Sequence, residues 1–467
     1  MVELPEDALA EILRRLPPRS LAASRCVCKD WRSTVDSRRL LRTDLLPLPL
    51  AGLFINYNDL RFPDFFSRSR PSPSSSTTAA ISGKLDFLPL DIFCEIASHC
   101  NGLLLLLCDI VVNPATRRWA RLPPLPRQFK LFDKKVIVFD PTVSLHYEVF
   151  RIPFPQIYLD MTEYDTVSKD SEWPPSLLVT RVFSSATGRW EERSFARQGD
   201  AAGTVSDALR PWVSIQGGYV YWQGALYVNS YYLMRISMSD GKYQVIKHPM
   251  IYSGKDCFKP NFYIGKSEKG VYLISLGETG YFLSIWVLNE SSGHFEWLLK
   301  HQNNLQPLLL RSNCGKQVHG PWILRDINYH LYRQKFPGEW NLYDWHYDPS
   351  NFDSPNDNAE TLVENNFEWD SDDDNVVDTQ GCFERCISDG LGFLGFHPYK
   401  EVIFLNCARM KGLAYHLNST KLEHLGNLQP KDYSYFTVYG FIECSFPYTP
   451  CGIDVFPKTI ISPDNLY

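Results

Sequence analysis

The sequence predicts a mainly β protein with a small α-helical module at its N-terminus: three helices followed by a β-propeller-like domain. Three observations support this fold class. Apolar residues recur at helical spacing before about residue 41, short runs of aromatic and branched residues dominate from about residue 98, and one kind of turn recurs between these runs. Aromatic residues make up 14% of the 467 residues, and 32 prolines and 27 glycines favour short strands and tight turns.

The N-terminal helices are predicted from apolar spacing and from flanking residues. In residues 3–16 the stripe of an amphipathic helix is formed by Leu9, Ile12, Leu13 and Leu16. Pro17 and Pro18 prevent continuation of that helix. A second short helix is predicted over residues 20–28, with Ser20 as its N-cap. The third runs from about residue 30 to about residue 41 and carries Trp31, Val35 and Leu40.

The chain is predicted to divide into three parts. Residues 1–46 hold the helices, residues 47–97 are a linker, and residues 98–467 form the β-domain. Because a helical bundle of this size buries too little apolar surface to be stable alone, we expect it to pack against another element. Residues 67–82 contain seven serines, two threonines and two prolines, which is typical of a mobile, solvated loop.

The β-domain is predicted to be repetitive, because a turn followed by a basic or aromatic residue recurs along it. The turns lie at residues 113–119, 140–142, 185–190, 239–243, 289–295 and 418–421. The spacing of the first five resembles the ~40 to 50 residue period of four-stranded propeller blades, with one half-step inside a blade. We therefore expect five to seven sheets, with the rhythm lost after about residue 303.

An acidic insertion is predicted at residues 351–378. This segment holds ten Asp or Glu residues and no Lys or Arg, so it carries a charge of -10, whereas the formal net charge of the whole chain is -6. Two interpretations stay open: a self-repelling solvated loop, or a surface that docks a basic partner.

Charge, cysteine content and hydropathy exclude several classes of protein. A net charge of -6 and a pI near 6.0 disfavour nucleic acid as a partner. Twelve cysteines form no regular framework and nothing before Leu4 resembles a signal peptide, so we expect an intracellular protein of the nucleus or the cytoplasm. The most apolar stretch, residues 103–112, is too short to span a membrane and is interrupted by Asp109.

The most specific motif lies in residues 4–32. It consists of an opening Leu-Pro, an Ile-Leu pair one helical turn before a second Leu-Pro, and a Val-Cys-Lys-x-Trp block. These features closely resemble the F-box of ubiquitin-ligase receptors. In that family the module docks on a Skp-type adaptor and, through it, on a cullin. The resemblance implies that the small core and an adaptor-facing patch share Leu4, Pro5, Ile12, Leu13, Leu16, Pro17, Leu21, Val27 and Trp31.

Two other interpretations of the helices were weighed. The module could be a helical cap on the β-domain, or a helix-turn-helix that reads DNA. The DNA interpretation is weak, because seven acidic residues dilute the nine basic ones among the first 46.

A second resemblance covers residues 99–123. The strand containing Asn101, Gly102, Leu103 and Leu104 and the turn over residues 113–119 look like the start of the F-box-associated domain of plant F-box proteins. That domain is similar to a kelch-like propeller, in agreement with the spacing of the turns.

Catalytic, cofactor and metal sites are not predicted. Cys382 and Cys386 lack a second pair at the spacing of a zinc site, and the eleven histidines form no ligand motif. The glycines at 390, 392 and 395 match a dinucleotide-binding spacing but have no βαβ setting, so we interpret them as part of a strand.

Together the two resemblances imply a substrate receptor of a Skp-cullin-F-box ubiquitin ligase, whose β-domain presents loops to an unknown target protein. Such a receptor is not an enzyme and needs no cofactor. Two alternatives remain at this point: a propeller-type enzyme or glycan-binding protein with a helical N-terminal cap, and a scaffold whose F-box works outside a ligase.

Overall fold

A computed structural model describes most of the helical module and of the β-domain. The residues it describes are 6–14, 24–25, 27–38, 40, 50–58, 62–68, 83–88, 95–125, 132–154, 170–208, 218–230, 232–249, 261–267, 269–277, 280–291, 293–311, 320–325, 390–407, 411–430, 442–453 and 455–456. The protein is mainly β with few helices, which confirms the predicted fold class. None of the helices within these ranges is long and apolar enough to cross a membrane.

The helical module contains α1 (Glu6–Arg14) and α2 (Lys29–Ser37). The Sγ atom of Cys28 caps α2 by accepting a hydrogen bond from the backbone N–H of Trp31 at 3.5 Å. The two helices meet in a small core formed by Leu9, Ala10, Leu13, Val35 and Leu40, with Trp31 partly buried against it. Of the predicted second helix, residues 20–23 and 26 lie outside the described residues.

Helix α2 ends earlier than the sequence predicts, at Ser37 rather than near residue 41. The backbone N–H of Leu40 donates to the carbonyl oxygen of Val35 at 3.0 Å, a bond of the type that closes a helix C-terminus. The side chains of Leu40 and Val35 also lie together in the core. This contact turns the chain out of the helix while keeping Leu40 buried.

The β-domain consists of antiparallel four-stranded units, which we call blades 1 to 6. The strands of each blade are given from the inside outwards. Blade 1 contains β3 (Ile96–Cys100), β4 (Leu103–Leu106), β5 (Ile110–Asn113) and β6 (Arg118–Arg121), and blade 2 contains β7 (Phe132–Val138), β8 (Glu148–Phe154), β10 (Leu177–Ser184) and β11 (Arg189–Gln198). Blade 3 contains β13 (Tyr219–Trp222), β14 (Ala225–Asn229), β15 (Tyr232–Ser237) and β16 (Lys242–Lys247). Strands β11 and β16 pair in parallel and join blades 2 and 3 into one eight-stranded sheet.

Blades 4 and 5 continue this pattern along the chain. Blade 4 contains β17 (Asn261–Ser267), β18 (Gly270–Leu276), β19 (Phe282–Ser291) and β20 (His294–Asn304). Blade 5 contains β22 (Leu391–Phe396), β23 (Val402–Cys407), β24 (Lys411–His416) and β25 (Leu422–Asn427). The remaining elements outside blade 6 are the small pair β9 (Glu172–Trp173) and β12 (Gly203–Thr204), and the short helices α3 (Val205–Ala208) and α4 (Gln306–Arg311).

Blade 6 is assembled from three distant parts of the sequence. From the inside outwards its strands are β26 (Ile442–Tyr448), β1 (Gly52–Tyr57), β2 (Asp64–Arg68) and β21 (Trp322–Arg325). The prediction that residues 47–97 form a linker is therefore wrong where β1, β2 and the start of β3 lie. All six residues of β1 are buried, because this strand is sandwiched in the sheet that closes the propeller.

Hydrophobic clusters between neighbouring blades close the ring. Each of the six blade-to-blade interfaces has its own cluster, represented by Leu105 with Val149, Phe150 with Leu226, Tyr227 with Ile264, Ile274 with Leu405, Phe404 with Phe66, and Phe54 with Leu104. The last pair joins blade 6 back to blade 1. The predicted range of five to seven sheets therefore resolves into six blades.

The recurring turns occupy equivalent positions in five blades. In blades 1 to 5 they connect the third strand to the fourth, with a backbone φ in the left-handed region at Arg117, Gly188, Gly241, Gly293 and Thr420. The turn at residues 140–142 instead follows the first strand of blade 2, and it is the half-step expected from the spacing. The repeat predicted from the sequence is thus confirmed.

The antiparallel strands give the propeller two different faces. We call the face where the inner strands end the short-loop face. In blades 1 to 5 it carries the hairpins that join the first strand to the second and the third strand to the fourth, and the longest of these spans residues 139–147. We call the opposite face, where the inner strands begin, the long-loop face. Its connections include residues 122–131, 248–260, 326–390 and 428–441.

Candidate adaptor-binding and target-binding surfaces

Packing of the helical module separates core residues from surface residues. Leu9 and Leu13 lie one turn apart on α1 and face α2, as an i, i+4 pair must. Ile12 lies on another side of α1 and remains 49% exposed, and Val27, just before α2, is 63% exposed. Since neither apolar side chain contributes to the core, both are available to a partner.

Four of the nine residues predicted for adaptor binding lie in the described part of the module. Ile12 and Val27 are exposed, Trp31 is partly buried, and Leu13 is fully buried in the core. The other five lie outside the described residues: Leu4, Pro5, Leu16, Pro17 and Leu21. Leu13 thus falls on the core side of the division that the resemblance implies.

Ion pairs brace the helical module on its surface. The guanidinium of Arg38, just after α2, donates to Oδ1 of Asp7 on α1 at 2.7 Å. Arg25 Nη2 donates to Oδ2 of Asp36 at 2.9 Å, which ties the segment before α2 to the last turn of that helix. The Arg38–Asp7 pair is exposed and contributes at most about 1 kcal/mol, whereas the Arg25–Asp36 pair is partly buried.

The helical module is attached at the short-loop face. Strand β1 begins there, because Gly52 pairs with Tyr448 at the end of the inner strand β26. After β26 the chain continues into Cys451, whose thiol pKa is raised by burial and lowered by the Ile453 backbone and by the positive charge of Arg25.

The connection that holds the acidic segment leaves from the other face of the propeller, whereas the connection after β2, residues 69–95, starts at the short-loop face. Strand β21 ends at the long-loop face and β22 begins there, so both ends of residues 326–390, which include the acidic segment 351–378, are anchored at this face. The acidic segment itself lies outside the described residues. The helical module and the connection over residues 326–390 thus start from opposite faces.

Polar side chains cross the central channel between blades. The backbone N–H of His99 in blade 1 donates to the hydroxyl of Tyr219 in blade 3 at 2.8 Å. Lys266 in blade 4 donates to the Tyr221 carbonyl at 3.1 Å and contacts Oδ1 of Asn101, in the opposite blade, at 3.4 Å. Burial, with a smaller effect of Lys266, lowers the pKa of His99 to about 4, so the imidazole is neutral at pH 7.

A second polar cluster lies at the long-loop end of blades 2 to 4. Nε2 of His248 lies 2.8 Å from Oδ1 of Asn229, and Lys134 donates to the Asn229 carbonyl at 3.2 Å. Burial lowers the pKa of Lys134 to about 8 and that of His248 to about 4. Sequence reasoning missed both polar clusters, because their members are scattered along the chain and no spacing signals them.

Metal ligands do not converge in the described ranges of the chain. Within them, no group of three His, Cys, Asp or Glu side chains is placed to hold a metal ion. The six cysteines described there are free thiols.

Comparison with known proteins identifies the helical module. The model of the F-box domain matches residues 1–43. The chain carries an F-box. Its two helices and their small core are therefore the described part of an F-box, which confirms the resemblance seen in the motif.

Several plant F-box proteins are similar to parts of this chain. A putative F-box protein of Arabidopsis thaliana is 26% identical over 317 residues, which cover 62% of this chain and 87% of the relative. A putative F-box/kelch-repeat protein of the same plant is 23% identical over 348 residues, 65% of this chain and 73% of that protein. A third A. thaliana F-box protein is 33% identical over 140 residues, 28% of this chain and 42% of its own length.

Among solved structures, Hsv2 of Kluyveromyces lactis overlaps 54% of this chain and 71% of its own, with 12% sequence identity and a TM-score of 0.25. A TM-score this low does not indicate a shared fold. The assignment of a propeller-like domain rests on the blades of this chain.

Proposed function

We propose that this protein is the substrate-recognition subunit of a Skp-cullin-F-box ubiquitin ligase. The observation that carries the proposal is the F-box at residues 1–43, joined to a propeller-like domain in a chain similar to plant F-box proteins. F-box proteins are generally non-catalytic, and F-box domains generally bind Skp-type adaptors. We also propose that the protein works in the nucleus or the cytoplasm.

Adaptor binding would use apolar side chains that the module does not need for its own core. Ile12 and Val27 meet this condition because they are exposed. Leu4, Pro5, Leu16, Pro17 and Leu21 would complete the surface, with Trp31 at its border. Binding energy usually concentrates in a few such anchors once water is excluded from them.

Target binding would use the long-loop face. Loops on a rigid scaffold are where recognition residues usually lie, and several long connections, including both ends of residues 326–390, are anchored at this face. Since the F-box is attached at the other face, adaptor and target can be bound at the same time. The mechanism is proximity: a tethered target meets the ligase's ubiquitin carrier at a high effective concentration, and no bond is made or broken by this chain.

Affinity capture tests this function. The intact protein is compared with a variant that lacks residues 1–46, and the captured proteins are identified. Loss of both adaptor and cullin from the truncated variant, with other partners retained, is the expected result. Capture of the adaptor without cullin by the intact protein would contradict a ligase subunit and favour a scaffold that works outside a ligase.

A further inference from the structure

The outer edge of blade 4 is the longest open strand edge of the propeller in the described ranges. Strand β20 closes blade 4 on the outside with eleven residues, and in these ranges no other strand pairs with its outer side. The outer strands β6 and β21 have four residues each and β25 has six. Native proteins usually keep such edges short or cover them, because an edge presents unpaired backbone N–H and C=O groups. Strand β20 is therefore the edge best suited to accept another strand.

The pairing of β19 with β20 shows which backbone groups face outwards. Ser291 and His294 pair with each other at the turn, and the regular pairing continues as far as Leu299. The pair that closes a two-residue turn is hydrogen-bonded, and hydrogen-bonded and non-hydrogen-bonded pairs then alternate along an antiparallel ladder. Phe295, Trp297 and Leu299 consequently turn their N–H and C=O groups away from β19, towards the open edge.

A β-bulge ends this regular stretch. Lys300 is the extra residue of the bulge, because the residues on either side of it pair with successive residues of β19. Its ammonium turns towards blade 5, where it donates to the Tyr272 hydroxyl at 3.0 Å and pairs with Glu401. The part of the edge that another strand can use is therefore residues 294–299.

Outer strands of this propeller already accept a further strand elsewhere in the ring. The fourth strands of blades 2 and 3, β11 and β16, pair in parallel through residues 196–198 and 242–244. The N–H of Ala196 donates to the carbonyl oxygen of Gly241 at 2.9 Å beside this junction. Strand β20 holds the same position in blade 4, so the same kind of edge pairing is available to it.

Side chains along the open edge indicate the kind of strand that fits. Leu298 is 42% exposed and Leu299 is 54% exposed. Successive side chains of a strand point to opposite faces, so these two leucines flank the edge on both of its faces. Glu296 is exposed on the same face as Leu298. An added strand would complement these residues with apolar side chains opposite the leucines and a basic one opposite Glu296.

We propose that the outer edge of β20 binds an extended segment of the target protein, which joins blade 4 as a fifth strand. The segment carries neighbouring apolar residues and, close to them, a basic residue that faces Glu296. Main-chain hydrogen bonds supply the affinity, and the side-chain pairs supply the specificity. This inference rests on the proposed function and deepens it: β20 ends at Asn304 on the long-loop face, so a segment bound along it leads onto the face proposed for the target.

Peptide selection tests the proposal in the full-length chain. A phage library of short random peptides is selected on the wild-type protein, and enriched peptides are synthesised and titrated by fluorescence anisotropy. The test variant Leu299→Pro removes an N–H that points away from β19, so it leaves the pairing with β19 intact. Its matched control, Leu299→Ala, removes the same side chain but keeps that N–H. We expect enriched peptides with the apolar and basic pattern to bind Leu299→Pro about tenfold more weakly than the wild type, and Leu299→Ala within about threefold.

A second measurement needs only the wild-type protein, and it decides the matter if Leu299→Pro lowers the urea midpoint of unfolding. The same peptides are N-methylated at every second amide, in two complementary versions. Only one set of amides of an added strand faces β20, so one version should lose binding and the other should keep it.

The outcomes separate this proposal from the proposed function. Equal binding of the two methylated versions, or the absence of any peptide that distinguishes Leu299→Pro from Leu299→Ala, would overturn the added strand. A dimer of the wild type that Leu299→Pro abolishes would assign the edge to a second copy of the chain and overturn the target as its occupant. The proposed function stands or falls separately, because undiminished adaptor binding in Ile12→Asp is what would overturn it.

Discussion

The hydroxyl of Tyr219 accepts a hydrogen bond from the backbone N–H of His99 at 2.8 Å and links blade 3 to blade 1 across the central channel. The same hydroxyl lies 3.4 Å from the carbonyl oxygen of Ala97, toward which it donates. The Tyr219 side chain therefore provides a hydrogen-bond partner for two backbone groups of the inner strand β3, the N–H of His99 and the carbonyl of Ala97. In a ring of six blades, such a link ties together inner strands that do not share a sheet.

Removal of this hydroxyl should destabilise the propeller. In Tyr219→Phe the buried N–H of His99 loses its acceptor, and an unsatisfied buried donor costs about 1 to 3 kcal/mol. Urea unfolding followed by circular dichroism should show a lower midpoint with an unchanged slope. An unchanged midpoint would mean that the link across the channel contributes nothing to stability.

Closure of the ring by the N-terminal segment leads to a second prediction. Phe54 on β1 packs against Phe65 and Tyr448, with ring centroids 4.6 and 5.2 Å apart. Phe54→Ala should lower the free energy of unfolding by about 3 to 5 kcal/mol, because it opens a cavity in a buried cluster. Phe282→Ala is the matched control, since Phe282 is 42% exposed and its loss should cost far less. Equal effects of the two substitutions would contradict the placement of β1 in the closing blade.

The parts of the fold that could be predicted are those determined by residues that are close together in the sequence. The F-box motif occupies one short segment, and each recurring turn needs only a few adjacent residues to set its backbone. Strands β1 and β2 pair with each other, but they were missed because their other partners, β26 and β21, lie hundreds of residues away and because the neighbouring Ser-rich stretch is typical of a linker. Strand β21 is harder still, since it follows blade 4 in the chain but joins blade 6.

The candidate surfaces were predictable to a similar extent. The apolar stripe of α1 includes both Ile12 and Leu13, and periodicity alone cannot tell which of two adjacent apolar residues faces α2. Packing against Val35 and Leu40 makes that choice for Leu13. Contacts such as that between Tyr219 and His99 form only when the ring of blades closes, so no local sequence pattern predicts them.

Stability should fall as the pH drops from about 6.5 towards 4. Burial lowers the pKa of His397 to about 4, and its Nδ1 atom accepts hydrogen bonds from the N–H groups of Tyr399 and Lys400 at 3.1 Å each. Between these pH values the unfolded state binds a proton that the folded state does not, so acidification favours unfolding. His99 and His248 act in the same direction.

Substitution of His397 isolates its share of this effect. The side-chain oxygen of an asparagine can accept the same two N–H groups without titrating, so His397→Asn should unfold with a smaller loss of stability between pH 6.5 and 4. The control His146→Asn makes the same substitution at an exposed histidine. The measurement is the urea midpoint of unfolding at several pH values in this range. If the midpoint falls with pH equally in His397→Asn and the wild type, His397 does not contribute to the loss of stability.

The acidic segment is expected to contribute to target capture through its charge. Ten acidic residues without a basic one should accelerate encounter with a basic target and make capture sensitive to salt. Deletion of residues 351–378 should weaken capture and flatten its dependence on salt. A variant of unchanged length, with Asn and Gln in place of the ten acids, separates charge from loop length. Unchanged capture and an unchanged salt slope in both variants would leave the segment as a solvated loop.

The most direct test of the central claim is the affinity of the full-length protein for a purified Skp-type adaptor, measured by calorimetry for the wild type and for Ile12→Asp. An exposed anchor changed to a carboxylate would have to bury a charge in the interface, so we expect binding to weaken at least about thirtyfold while the urea midpoint stays unchanged. Leu13→Ala serves as the contrasting variant, because loss of this core side chain should lower stability by about 2 to 5 kcal/mol. Equal adaptor affinity of the wild type and Ile12→Asp would contradict the account of this chain as an adaptor-bound receptor.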